Sequence, residues 1–271
     1  MQDIRALLER AYTDFHTSFR RERDPISVVH RYLKDDDQEI AAFFTAMLAY
    51  GNAKAIISSS TSLLDALGDS PHQAILDGHF EKAWSRFQYR FTTASDVIIL
   101  GHWIRSALLS HGSIESFFGS DSSPTTSTAD RISSFVTRLN QQPVPKKYLA
   151  PLRLRHRYLK HLVSNPQNGS ACKRLNLFLR WVVRAKDGID LGLWTQLEAK
   201  DLILPVDVHV LKGLRALNWT QSKSANWKVA EIATQKLRQL SFEDPIRYDF
   251  SLCHLSMSGN DLSRYRHESM E

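Results

Sequence analysis

The sequence has little cysteine and no long apolar run, and both absences exclude classes of protein. Its 271 residues include two cysteines, Cys172 and Cys253, which lie 81 positions apart. Two such distant cysteines form neither a disulfide framework nor a metal-ligand cluster, so we expect no metal and no cofactor. No apolar stretch reaches the roughly 18 residues of a membrane span, and the N-terminal stretch lacks the apolar core of a signal peptide. We therefore expect a cytoplasmic protein.

Acidic residues are missing from one long segment of the chain. Residues 131–186 contain no aspartate or glutamate, but they hold thirteen of the thirty-five lysines and arginines. Positive charge segregated in this way is typical of a surface that binds a polyanion. A solvated basic face without a partner is the simpler alternative, and an acidic membrane surface fits less well because the segment also has apolar periodicity. The charge pattern favours nucleic acid.

Helical periodicity dominates the rest of the sequence. Apolar residues recur at helical spacing at Ile40, Phe43, Phe44 and Met47, and comparable stripes follow along the chain. No strand pattern of useful length appears, and the P-loop, GxGxxG and HExxH motifs are absent. The sequence predicts an all-α fold, and the polar composition of residues 120–128 predicts a flexible loop.

Residues 149–186 predict a basic helix-hairpin-helix. A helix over 149–163 is followed by a tight turn at 165–170 and by a second helix over 171–186, for which Ser170 is a candidate cap. Backbone N–H groups at the start of the second helix suit a phosphate. An ordinary helical hairpin with solvated bases is the alternative. The predicted DNA contacts are Arg153, Arg155, Arg157, Lys160, Gly169, Ser170, Arg174, Arg180 and the later His209.

Lys173 is a candidate nucleophile in the first turn of that second helix. Helical spacing places it on one flank with Arg180 and Arg184. Neighbouring cations and the positive end of a helix both disfavour an ammonium, and a neutral amine can attack an electrophilic carbon. A lysine that contacts phosphate or only solvent is the plainer interpretation.

Asp207 is the second candidate catalytic residue. It stands in the run Pro205-Val206-Asp207-Val208-His209-Val210, directly before an apolar-periodic helix, where aspartate is a typical N-cap. A carboxylate at a helix N-terminus stays ionised and can stabilise a developing cation or transfer a proton. Capping alone would also explain the residue.

These two segments carry a resemblance to a known superfamily. The PVDVHV run resembles the catalytic-aspartate motif of the helix-hairpin-helix DNA glycosylases, the superfamily of endonuclease III. The run CKRLNLFLR, which contains Lys173, is similar to the lysine-bearing helix of their bifunctional 8-oxoguanine members, especially the bacterial and archaeal types. The turn departs from the usual LPGxGxK, and the four-cysteine motif of endonuclease III is absent. The whole chain also resembles a bacterial family catalogued as of unknown function.

The resemblance implies a fold, a reaction and a partner. It implies two helical lobes with a DNA cleft between them, in one unit spanning residues 1–271. It implies a glycosylase and abasic-site lyase that removes a damaged purine, with 8-oxoguanine favoured, through a Schiff base on Lys173 assisted by Asp207. The partner would be damaged duplex DNA, bound by a nucleoid-associated monomer without a small-molecule cofactor.

A flipped base requires a pocket with aromatic and polar groups. The candidates in this sequence are Tyr50, Asn52, Trp181 and Asp249, of which Asp249 is suggested by the similarity to the archaeal-type enzymes. Three alternatives remain at this point: a non-catalytic DNA-binding module, a monofunctional glycosylase that activates water through Asp207, and a helical scaffold that binds RNA or protein.

Overall fold

The computed structural model describes residues 2–121, 123 and 125–257, and the side chains from Ile4 onward. Within these residues the chain forms α-helices, short 3-10 helices and one two-stranded hairpin, which confirms the all-α prediction. Of the predicted flexible loop 120–128, positions 122 and 124 lie outside the described residues. The loop ends one residue early, because Ser127 caps a helix that begins at Thr128.

The chain divides into two compact units, which are described separately. The first unit comprises Met1–Glu22 and Pro166–Glu271, and the second comprises Arg23–Asn165. The boundary at residue 165 falls inside the predicted hairpin 149–186. The two helices of that hairpin therefore belong to different units.

Six α-helices form the described part of the first unit. They are α1 (Gln2–Phe15), α2 (Ser18–Arg21), α11 (Lys173–Val183), α12 (Val208–Ala216), α13 (Trp227–Arg238) and α14 (Asp249–Met257), with 3-10 helices at Pro166–Asn168 and Ala199–Asp201. Helix α14 packs on both α1 and α12. The apolar stripe predicted for α11 is buried as expected, at Leu175, Phe178, Leu179 and Val182.

The described part of the second unit contains eight α-helices and the hairpin. These are α3 (Asp35–Met47), α4 (Ala53–Asp65), α5 (Pro71–Asp77), α6 (Phe80–Ala83), α7 (Ala94–His111), α8 (Ile114–Gly119), α9 (Thr128–Asn140), α10 (Leu149–Leu162), β1 (Gln88–Tyr89) and β2 (Thr92–Thr93), with 3-10 helices at Pro25–Arg31 and Lys146–Tyr148. The strands pair antiparallel, with Tyr89 opposite Thr92. Because each strand has only two residues, the sequence offered no alternation by which to predict them.

Helix α7 is the central helix of the second unit and contacts α5, α8 and α10. Its first turn is fixed by Asp96, whose Oδ2 accepts hydrogen bonds from the Thr93 backbone N–H at 2.8 Å and from the Thr93 hydroxyl at 2.9 Å. Trp103 and Ile104 lie fully buried along it. None of the described helices combines the length and the apolar character that crossing a membrane requires.

Candidate functional site

Asp207 caps helix α12 as the sequence predicted. Its backbone is extended, and its Oδ1 accepts hydrogen bonds from the backbone N–H groups of His209 and Val210, both at 2.9 Å. The segment before it is anchored to α13, since the Leu204 N–H donates to the Thr234 hydroxyl at 2.9 Å. Among the described residues, no hydrogen-bond donor reaches Oδ2 of Asp207. Oδ1 thus has a structural role at the start of α12.

Lys173 is the first residue of helix α11 and is half-buried. It follows Cys172, which has a left-handed backbone conformation with φ of 47°. The Asn176 side-chain amide donates to the Ala171 backbone carbonyl at 3.0 Å. This hydrogen bond fixes the segment before α11 against the helix. The turn before it is tied to α13, because the Trp227 N–H donates to the Gly169 carbonyl at 3.1 Å.

The limits predicted for this second helix were wrong by a few residues. It runs from Lys173 to Val183 rather than over 171–186. Ser170 does not cap it, because its hydroxyl accepts from the Cys172 N–H, at 3.2 Å, within the preceding turn. The Ser170 side chain therefore stabilises the turn.

The positive surroundings predicted for Lys173 require a larger correction. Arg180 and Arg184 are almost completely buried. Arg180 forms ion pairs with Asp249 at 2.7 Å and Asp190 at 3.3 Å. Its side chain is 3 % exposed and offers little surface to a phosphate, and its role as a DNA contact stays a prediction.

Arg184 belongs to the same buried network. It pairs with Asp244 at 2.8 Å and Asp187 at 3.2 Å, and it also contacts Asp190. Four carboxylates thus surround the two guanidinium groups, which turns the expected positive field on this flank of α11 into a neutralised one.

Asp249 begins helix α14, which packs against α12, the helix that Asp207 caps. Burial raises the pKa of Asp249 to about 6, although the paired Arg180 acts in the opposite direction. The negative charges of Asp207 and Asp190 contribute to this rise. This coupling, together with the packing of α12 against α14, brings the two carboxyl groups into one electrostatic environment. Because Arg180 belongs to α11, the ion pair with Asp249 also links the lysine-bearing helix to that environment.

The predicted base-pocket residues are not brought together within one unit. Trp181 and Asp249 belong to the first unit, and Tyr50 and Asn52 belong to the second. Trp181 is 1 % exposed and forms part of the core, and its contact with a flipped base stays a prediction. Asn52 caps α4, with its Oδ1 accepting from the Ala55 N–H at 2.9 Å.

The predicted phosphate contacts fall into two groups by exposure. Arg153, Arg157 and Lys160 on α10 are exposed, as are Gly169 and His209 in the other unit. Such exposure is what a DNA contact requires.

Two predicted contacts are less accessible than expected. Arg174 is 8 % exposed and therefore unsuited to a phosphate. Arg155 is committed to Asp96, a fully buried carboxylate 2.7 Å away, and it also donates to the Phe91 carbonyl at 2.6 Å. Replacing Arg155 would therefore disturb the second unit as well as its surface charge.

Sequence reasoning missed the carboxylates that neutralise α11. Asp187 and Asp190 end the acid-free segment, in the turn directly after the helix. The sequence of that turn could have predicted the ion pairs, because two acids just beyond two arginines on one flank of a helix can fold back onto them. No group of three or more metal-ligating side chains occurs in the described part of the chain.

The chain belongs to the family described as "Protein of unknown function (DUF2400)", which matches residues 24–258. This match bears out the similarity to a family of unknown function, and its description specifies no activity. No curated protein and no solved structure matches the chain.

Proposed function

We propose that this protein is a DNA glycosylase and abasic-site lyase, with Lys173 as nucleophile and Asp207 as its acidic partner. The observation that carries the proposal is the divided carboxylate of Asp207, in which one oxygen caps α12 and the other receives no hydrogen bond from the described residues. A carboxylate fixed in this way can stabilise positive charge that develops beside it. The resemblance of the two segments to the helix-hairpin-helix glycosylases supports the same assignment.

In the proposed reaction the Lys173 amine attacks the sugar C1′ and the bond from C1′ to the damaged base breaks. The base leaves with the electron pair and takes up a proton, and the amine loses one. Asp207 stabilises the oxocarbenium-like charge and helps to move the proton. Opening of the sugar ring then gives an imine between Nζ and C1′. Loss of a proton from C2′ with departure of the 3′ phosphate breaks the strand, so no metal or redox partner is needed.

Damaged duplex DNA is the proposed substrate. The exposed Arg153, Arg157 and Lys160 on α10 supply a row of cations at helical spacing. Contacts of this kind position a duplex without reading its sequence. The preference for 8-oxoguanine rests on the resemblance alone, as does a cleft between lobes.

Borohydride trapping tests the proposal directly. The protein is incubated with two labelled duplexes, one containing 8-oxoguanine and one an abasic site, and the imine is reduced to a stable amine. The wild type should form a covalent adduct, and Lys173→Gln should form none while still binding the duplex. Lys228→Gln is the matched control, since Lys228 is an exposed lysine of the same unit and should trap normally.

The same assay separates the alternatives. Base release without trapping would favour a glycosylase that activates water through Asp207. Binding without release or trapping, over a panel of lesions, would favour a non-catalytic module. Full trapping by Lys173→Gln would mean that another amine, such as Lys212, is the nucleophile.

A further inference from the structure

An aromatic surface lies beside the basic row of α10, within the second unit. Phe91, at the tip of the β1–β2 hairpin, stacks on Tyr50 with ring centroids 4.6 Å apart and planes within 16°. Its ring also contacts His161 at 5.1 Å and Tyr158 at 6.3 Å. Phe91 and Tyr158 are nevertheless 37 % and 44 % exposed. We call Tyr50, Phe91, Tyr158 and His161 the aromatic platform.

The platform is held in place from below. The Tyr50 hydroxyl donates to Thr92 at 2.7 Å, which fixes the ring beneath Phe91. Arg155 lies over the Tyr158 ring at 4.5 Å and hydrogen-bonds to the Phe91 carbonyl at 2.6 Å. The same Arg155 is anchored on the buried Asp96. Hydrogen bonds and an ion pair thus orient two partly exposed rings, so a planar ligand would find a surface that needs little rearrangement.

Positive charge runs alongside the rings. On α10 the exposed Leu154, Tyr158 and His161 share one helical stripe, and Arg153, Arg157 and Lys160 share the adjacent one. No acidic side chain interrupts these residues, because 131–186 contains none. A ligand that fits both stripes carries planar apolar groups and regularly spaced negative charges, and unpaired nucleic acid has both.

We propose that the aromatic platform and the basic row of α10 bind a single-stranded stretch of nucleic acid, with bases stacked on Phe91 and Tyr158 and phosphates on Arg153, Arg157 and Lys160. Aromatic rings interleaved with cations bind unpaired strands with little sequence preference, because every base has a π-face. A duplex keeps its bases stacked on one another and offers this surface only its phosphates. This inference does not depend on Lys173 or Asp207, and it holds whether or not the protein excises a base.

Fluorescence anisotropy with labelled (dT)12 and (rU)12 tests the platform on the full chain. Replacing both Phe91→Ala and Tyr158→Ala should weaken binding of the single strand roughly tenfold or more, since stacking contributes about 1–3 kcal/mol per base. The salt dependence should stay unchanged, because no cation is removed. Tyr158→Phe keeps the ring and should bind like the wild type. The double variant Phe19→Ala and Phe242→Ala, which removes two exposed rings elsewhere, is the matched control.

Three results would overturn the proposal. One is unaltered (dT)12 binding by a double variant whose circular dichroism and melting match the wild type. Another is a loss of binding in Tyr158→Phe equal to that in the double variant of Phe91 and Tyr158, which would indicate a role of the hydroxyl. The third is that the protein binds vesicles of phosphatidylserine and phosphatidylcholine but binds neither oligonucleotide. The probes contain no lesion, so none of these results bears on excision.

Discussion

At the scale of single residues, Asp207 combines a structural and a proposed chemical task. We expect Asp207→Asn to keep the cap, because asparagine caps a helix about as well as aspartate does. Its unfolding free energy should stay within about 0.5 kcal/mol of the wild type. Base excision in single-turnover assays should fall by orders of magnitude, because the neutral amide cannot stabilise the developing positive charge. DNA affinity should survive.

Asp207→Ala separates the two tasks of this residue. It removes the cap as well as the charge, so it should lose about 1 kcal/mol in urea denaturation in addition to its activity. If Asp207→Asn were stable and fully active, the residue would have a capping role only.

The raised pKa of Asp249 predicts how the stability of the protein depends on pH. The Asp249 pKa of about 6 in the folded protein lies above the ordinary aspartate value of 3.8, so the folded state binds this proton more tightly than the unfolded state does. Stability from this group is complete below about pH 3.8 and is lost as the pH rises through 6. Relative to Asp249→Asn, the wild type should therefore lose up to about 3 kcal/mol over that window.

Urea denaturation of both proteins at several pH values measures this difference. His254 must be kept in both proteins, because burial lowers its pKa to about 4 and its own contribution to stability falls with acidification below about 6.5. The subtraction removes that contribution. A constant difference between the two proteins from pH 4 to 7 would contradict the assignment to Asp249.

At the scale of elements, helix α11 shows what its own sequence could and could not predict. The buried stripe of Leu175 and Phe178 follows from the period of the helix, which is a local property. The burial of Arg180 does not, because its partners Asp190 and Asp249 lie 10 and 69 residues further along the chain. The sequence could therefore predict the helix and the position of Lys173 in its first turn. It could not predict that carboxylates neutralise Arg180 and Arg184.

The buried network at the end of α11 predicts a large stability effect. Asp190 is fully buried and contacts both Arg180 and Arg184. We expect Asp190→Asn to lose about 3–5 kcal/mol of unfolding free energy, because Asp190 is a fully buried carboxylate that pairs with both guanidinium groups and the neutral amide replaces neither ion pair. Thermal and urea denaturation measure this loss.

Asp14→Asn is the control for that substitution, since Asp14 is an exposed aspartate on α1. Its stability should change by no more than about 0.5 kcal/mol. Equal stability of the two variants would mean that the arginines are compensated without Asp190.

At the scale of the whole molecule, charge is distributed unevenly along the chain rather than being simply positive. The net charge is +6, but the acid-free segment places exposed cations on α10 with no acid nearby in sequence. Composition alone could reveal this asymmetry. It could not reveal that Arg155 serves the buried Asp96, or that Phe91 is displayed beside α10, because both depend on contacts 59 to 64 residues apart in the chain.

The basic row of α10 leads to a prediction about duplex DNA. The test leaves Arg155 unchanged, because that residue pairs with the buried Asp96. Binding should weaken steeply with salt, since each neutralised phosphate releases counterions. Replacing Arg153, Arg157 and Lys160 with glutamine should reduce the slope of log K against log salt by about 2 to 3, with the fold intact because all three side chains are exposed. Anisotropy titrations of an undamaged duplex at several salt concentrations measure the slope.

The matched control for this triple variant removes the same amount of charge elsewhere. Arg10, Lys54 and Lys82 are equally exposed but lie outside the acid-free segment. Their replacement with glutamine lowers the net charge identically and should leave the slope almost unchanged. If both triple variants flattened the slope equally, DNA would respond to the overall charge of the protein, and α10 would not be its binding surface. If only the α10 variant flattened the slope, DNA would bind to the exposed cations of α10, which have no acidic residue near them in the sequence.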